Sequence, residues 1–241
     1  MNSTPKHPTS AADKDPSETQ VNATTCKQSS IELVQSILTH ETLAKALQAI
    51  PAAEAQQILD RQLHAADAQT DQPHFIHMAG IPGSGKSTYA KQLYQTRPQM
   101  SGALFIAFDQ VMEQLSGYQT LDDPIAAFAA WELPARALGY QLLLSGLEAG
   151  CSILFDHSGA HPAHLPLMTA LSNENRYRTE MVYLQAEPEQ VLSYIQQREK
   201  ITRRHTPEQL VHERYQLLED LMPQYEKTVH QFSTYSYYNT Q

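Results

Sequence analysis

One stretch, Gly80-Ile81-Pro82-Gly83-Ser84-Gly85-Lys86-Ser87, satisfies G-x-x-x-x-G-K-[ST] and constrains this chain more than any other feature. Glycines at three of its positions let the backbone turn tightly, so that several N–H groups converge on one anion. "HFIHMA" (74–79) ahead of the loop reads as a short buried strand, and "STYAKQLYQ" (87–95) behind it reads as an amphipathic helix. Strand, glycine loop and helix in that order place a phosphate group at the positive end of the helix. Gly80, Ile81, Pro82, Gly83, Ser84, Gly85, Lys86, Ser87 and Thr88 are therefore the candidate nucleotide-binding residues. Lys86 is expected to reach the β- and γ-phosphate oxygens of ATP, and the Ser87 hydroxyl to ligate Mg²⁺.

The rest of the chain fits one α/β domain with extra segments. Residues 1–29 are polar and poor in large apolar side chains, and read as a disordered tail. Residues 30–70 carry Leu, Ile and Val at helical spacing, with Pro51 dividing them into two helices. Residues 71–241 alternate apolar runs with helical patterns, which predicts a parallel sheet flanked by helices. The expected fold is thus the three-layer P-loop NTPase architecture with an N-terminal helical extension.

Within it, "GALFIAFD" (102–109) and "CSILFD" (151–156) read as strands that each stop at an aspartate. Asp123 and Pro124 announce a long helix that Gly150 ends. "RTEMVYLQA" is a third strand, Pro188 opens the next helix, and Thr206 with Gln209 reads as a capping box for the one after. "STYSYYNT" alternates like a last strand.

Ligands of open parallel sheets bind beyond the carboxyl ends of the strands. Asp109 and Asp156 stand at such ends. If both strands flank the loop strand, one carboxylate can take a hydroxyl proton while the other holds Mg²⁺ or an acceptor hydroxyl. "REKITRRH" (198–205) adds Arg198, Lys200, Arg203 and Arg204 in a segment able to fold over transferring phosphate.

The "GIPGSGKST" loop, the strand ending in Asp109, the "FDHSG" strand end and the "YIQQREKITRRHTPEQL" lid together resemble the zeta-toxin-like small P-loop kinases. The resemblance spans about residues 70–240. It implies that Asp109 is the catalytic base and that Arg198 contacts phosphate, with a second arginine among Arg203, Arg204 and Arg214. It also implies that Asp156 and Ser158 hold an acceptor, which in that family is UDP-N-acetylglucosamine and is met by Glu and Thr. An antitoxin partner would follow from the same likeness. The alternatives are a polynucleotide 5′-hydroxyl kinase and a nucleotide-binding module without transfer activity.

Composition narrows the partners. A net charge of −9 argues against nucleic acid and anionic membranes and favours a small-molecule acceptor. No apolar run reaches the length of a membrane span and no secretory leader is present, and Cys26 and Cys151 do not suggest a disulfide framework, so the expected location is the cytoplasm. "HSGAHPAH" gathers His157, His161 and His164, but Pro162 interrupts it and no partner ligands have the right spacing, so these read as loop and helix-start histidines. Glu132, beside Trp131, reads equally well as a site residue or a solvated helix position.

Overall fold

The computed structural model describes residues 28–66, 71–202 and 204–238. Most of the expected N-terminal tail, Cys26 and Arg203 lie outside the described residues. The chain opens with helix α1 (Ser30–Thr39), where Ser29 and Glu32 form a reciprocal capping box. Backbone at His40 then turns out of the helical region (ψ 128°), and α2 (Glu41–Leu47) starts afresh. Pro51 precedes α3 (Ala52–His64). The extension is therefore three helices rather than two, because a break falls at His40 where neither Pro nor Gly marks it.

Strand β1 (His74–Ala79) leads through the glycine loop into α4 (Lys86–Thr96). Strand β2 (Leu104–Ala107) runs straight into α5 (Phe108–Gln114) and the short α6 (Ser116–Gln119). Next comes α7 (Pro124–Ala149), whose Asp123 cap accepts the Ile125 and Ala126 amides and which continues through Pro134 to Gly150 at φ +72°. Then follow β3 (Ile153–Asp156), α8 (His164–Asn173), β4 (Arg178–Leu184), α9 (Pro188–Thr202), α10 (Glu208–Thr228) and β5 (Gln231–Tyr235).

Two expectations are corrected here. Asp109 does not end a strand but sits in the first turn of α5, because Phe108 folds inward and starts the helix directly after Ala107. Thr206 does not cap α10: its hydroxyl accepts from Arg198 Nη2 (2.9 Å), and Pro207 takes the cap position without a side-chain bond. The helix also passes through Pro223 without interruption.

The five strands among the described residues are all parallel, in the order β2-β3-β1-β4-β5. Only β3 borders the loop strand on the carboxylate side, so Asp156 pairs in register with Met78, while Asp109 is reached from the next strand out. Strand alternation sends the residues of the central strands to opposite faces. Phe75, Ala79, Ile153, Phe155 and Met181 join one core with α1, α7, α8 and α10, whereas Ile76, Met78, Leu154 and Val182 pack with Ala90 and Leu93 of α4. The result is the expected three layers. Val34 and Leu43 of the N-terminal helices enter the first of these cores, and Ile50 and Ile58 pack with Val111, Leu115 and Leu138.

Phe108 determines where α5 begins. A Cβ at Gly139 of α7 would stand 2.3 Å from its ring, which lies edge-on to Tyr140 (5.0 Å) and Phe155 (5.6 Å). Gly139 is thus the space into which this ring fits. Fixing Phe108 fixes Asp109 beside it.

Candidate active site

A cavity of about 230 Å³ opens over the carboxyl ends of β1, β2 and β3. Its walls include Lys86, Ser87, Asp109, Asp156, Ser158, Glu132 and the arginines 136, 198, 204 and 214. Five of the side chains singled out from the sequence as catalytic or acceptor-binding therefore meet in one place: Lys86, Asp109, Asp156, Ser158 and Arg198.

At Gly80 and Gly85, among others, the loop takes a form that favours glycine. Gly80 has φ +142°, and a Cβ there would lie 2.5 Å from the Leu184 carbonyl oxygen. Gly85 has φ +95°, and a Cβ there would meet the Tyr237 ring at 2.5 Å. The Gly80 amide donates to the Ser158 carbonyl (2.9 Å), which ties the loop to the segment after β3. On the far side, the Tyr238 hydroxyl donates to the Gly83 carbonyl (2.8 Å). Tyr194, Tyr237 and Tyr238 line a second hollow against Gly83, Gly85 and Thr88.

Lys86 Nζ donates to the Gly80 and Ile81 carbonyls, both at 2.8 Å. Desolvation lowers its pKa from the usual lysine range, with Asp156 and Asp109 opposing. Ser87 Oγ donates to Asp156 Oδ2 (2.7 Å). Burial pushes the Asp156 carboxyl upward, and Lys86 and the Ser87 hydrogen bond pull it back. A hydroxyl, a carboxylate and an ammonium so arranged suit a phosphate chain carrying a hard cation, for which oxygen ligands are right. The residues fit ATP and Mg²⁺.

The basic side comes from the stretch joining α9 to α10. Arg204 pairs with Asp109 through Nη2 and Oδ2, and its Nε lies 3.7 Å from Glu113 Oε1. Arg198 is held by Thr206, and both desolvation and the neighbouring Arg204 lower its pKa. His205 closes the turn through Glu199 (2.9 Å). Arg214 reaches the same cavity from α10, opposite the Glu132–Arg136 pair. From the sequence Arg198 stands first among these basic residues and Arg204 last; the place of Arg204 against Asp109 depends on how the turn folds back. Glu132 faces the cavity, which settles its position on α7.

His77 is not among the site residues expected from the sequence. It is buried (1% exposed) on β1 among Phe155, His164 and Tyr225 rings, and desolvation pushes its pKa down to about 3. Its only sequence signal is a polar residue in the middle of an apolar strand.

With this geometry, the comparisons with known proteins agree at the level of family and fold. Residues 75–219 match the family model described as an AAA domain, and the chain belongs to that family. A solved structure from the molecular and structural characterization of the PezAT chromosomal toxin-antitoxin system of the human pathogen Streptococcus pneumoniae has a TM-score of 0.60 with this chain. The two are 16% identical, over 79% of this chain and 80% of that one. No curated protein matches the sequence at a significant level. The fold is thus a P-loop nucleotide-binding fold, shared with a component of a toxin–antitoxin system, and the resemblance read from the sequence holds at that level. Among the described residues no helix is long and apolar enough to cross a membrane.

Proposed function

We propose that this protein is an ATP-dependent phosphotransferase that moves the γ-phosphate to a hydroxyl of a small acceptor, a nucleotide sugar of the UDP-N-acetylglucosamine kind. One observation carries the reading: two carboxylates, Asp109 and Asp156, and three arginines, Arg198, Arg204 and Arg214, converge on Lys86 in one cavity. Phosphoryl transfer needs little else besides positioning and charge neutralisation.

In this reading the loop amides bind the phosphates and Lys86 exchanges its two carbonyl partners for phosphate oxygens. Ser87 would hold Mg²⁺, which neutralises phosphate charge when bound. Asp109 accepts the acceptor's hydroxyl proton once Arg204 turns from it toward the phosphates. Arg198, kept in place by Thr206, neutralises charge on the transferred group, and Arg203, next to Arg204 in the chain, is a further candidate for that role. Asp156 keeps Ser87 with one oxygen and presents the other to the acceptor, alongside Ser158. The acidic total charge and the similarity to a toxin–antitoxin component support a small acceptor, a cytoplasmic site of action and an antitoxin partner.

The test is transfer from γ-labelled ATP by wild type and Asp109→Asn to UDP-N-acetylglucosamine, other sugar nucleotides, small alcohols and 5′-hydroxyl oligonucleotides. Label on a sugar nucleotide with wild type alone is the expected result. Label on the oligonucleotide would replace the acceptor assignment, and ATP binding without any labelled acceptor would refute transfer to this class.

A further inference from the structure

Beneath the phosphate cavity, on the α7 and α8 side of the sheet, three imidazoles come together from three separate elements. His77 lies on β1, His157 directly follows β3, and His164 opens α8. One nitrogen from each ring can be chosen so that all three lie within 4.8 Å of one another. His77 and His164 are 1% and 0% exposed. Both His77 nitrogens and His164 Nδ1 are buried without a hydrogen-bond partner, an arrangement that disfavours the fold unless something satisfies them. The set differs from the three histidines grouped in the chain, which read as loop and helix-start residues: His161, whose Nδ1 accepts from the Ala163 amide (3.2 Å), is outside it, and His77, some eighty residues upstream, is in it.

We infer that His77, His157 and His164 form a binding site for a borderline transition-metal ion of the Zn²⁺ class, separate from the magnesium position at Ser87. Imidazole nitrogen suits such an ion and is a poor ligand for Mg²⁺. Zn–N bonds of about 2.0–2.1 Å in tetrahedral geometry put ligand nitrogens about 3.4 Å apart, so the rings need to close by up to about 1.4 Å from their present limit of 4.8 Å. His164 has one ring nitrogen already engaged. Its Nε2 lies 2.7 Å from the Tyr140 hydroxyl, leaving Nδ1 for the ion, and a metal-bound histidine characteristically fixes its other nitrogen in such a hydrogen bond. Three protein ligands leave a fourth position for water, and His157 also borders the phosphate cavity. Because Ser158, next to His157, receives the Gly80 amide, an ion here would brace the segment that holds the glycine loop in place.

Chelator-stripped, untagged full-length protein titrated with Co²⁺ tests this. The expected result is visible d–d absorption that saturates at one equivalent, is displaced by Zn²⁺, and is absent from folded His77→Leu and His164→Gln. Zinc at about 100 times its Kd should raise the wild-type unfolding midpoint by roughly 5–10 °C. A folded wild type without the absorption, or both folded variants retaining it, overturns the assignment. If the variants do not fold, zinc-soaked wild-type crystals decide: an anomalous peak between the three rings supports the site, and its absence there overturns it. None of these readouts depends on phosphotransfer.

Discussion

Arg204 lies against the carboxylate that the proposed chemistry needs as a base: its Nη2 is paired with Asp109 Oδ2, although Asp109 is 56% exposed and Arg204 only 18%. The arginine is the more buried partner and the aspartate the accessible one. Asp109→Asn should therefore leave the ATP Kd within about threefold while lowering kcat by about 10²–10⁴, the usual share of a general base. Equal turnover in the variant would remove Asp109 from the chemistry.

Arg204→Ala should act differently. It removes a cation from the cavity and frees Asp109, so kcat/KM for ATP should fall by about 10²–10³ while transition-state neutralisation is lost. Steady-state kinetics over a range of ATP concentrations would show this, and an unchanged kcat/KM would exclude Arg204 from phosphate contact.

Lys86→Met should weaken ATP binding beyond detection by calorimetry at micromolar protein, with the far-UV spectrum unchanged. The two carbonyls that Lys86 now satisfies face the loop and can take water instead. Retained binding would mean that the loop amides alone suffice.

Asp156 sets stability against function. Burial raises its pKa in the folded state, so its ionised form opposes folding, and the wild type recovers stability as pH falls through the folded-state pKa. In Mg²⁺-free, nucleotide-free buffer, Asp156→Asn should raise the urea midpoint at pH 7–8, and this advantage should shrink as pH is lowered. A lower midpoint for the variant at neutral pH would show that the Lys86 and Ser87 contacts outweigh desolvation.

Gly85→Ala should destabilise by about 1–3 kcal/mol, from left-handed backbone and from collision with Tyr237. For a chain of this size that lowers Tm by roughly 2–12 °C. Tyr237→Ala added to it should restore the steric part alone; full restoration would mean the backbone is not strained.

The phosphate loop, the long helix between Asp123 and Gly150, and Asp156 were legible because each depends on local chemistry: glycines that turn, caps that end a helix, an apolar run that stops at a carboxylate. What stayed hidden depends on contacts distant in the chain. Asp109 sits in a helix because Phe108 finds its space on α7, and Thr206 is taken from its capping role by Arg198 eight residues earlier. The break at His40 has no breaker residue to announce it. His77 meets His157 and His164 only once β1 and β3 pair, which spacing along the chain cannot reveal.

The fit of Phe108 against Gly139 implies a constraint on descent. Neither position can drift independently: a side chain acquired at 139 displaces the ring, and with it the orientation of residue 109. Among relatives the two should change in concert, with a bulkier residue at 139 accompanied by a smaller one at 108, so lineages that keep the aromatic ring should keep the glycine as well.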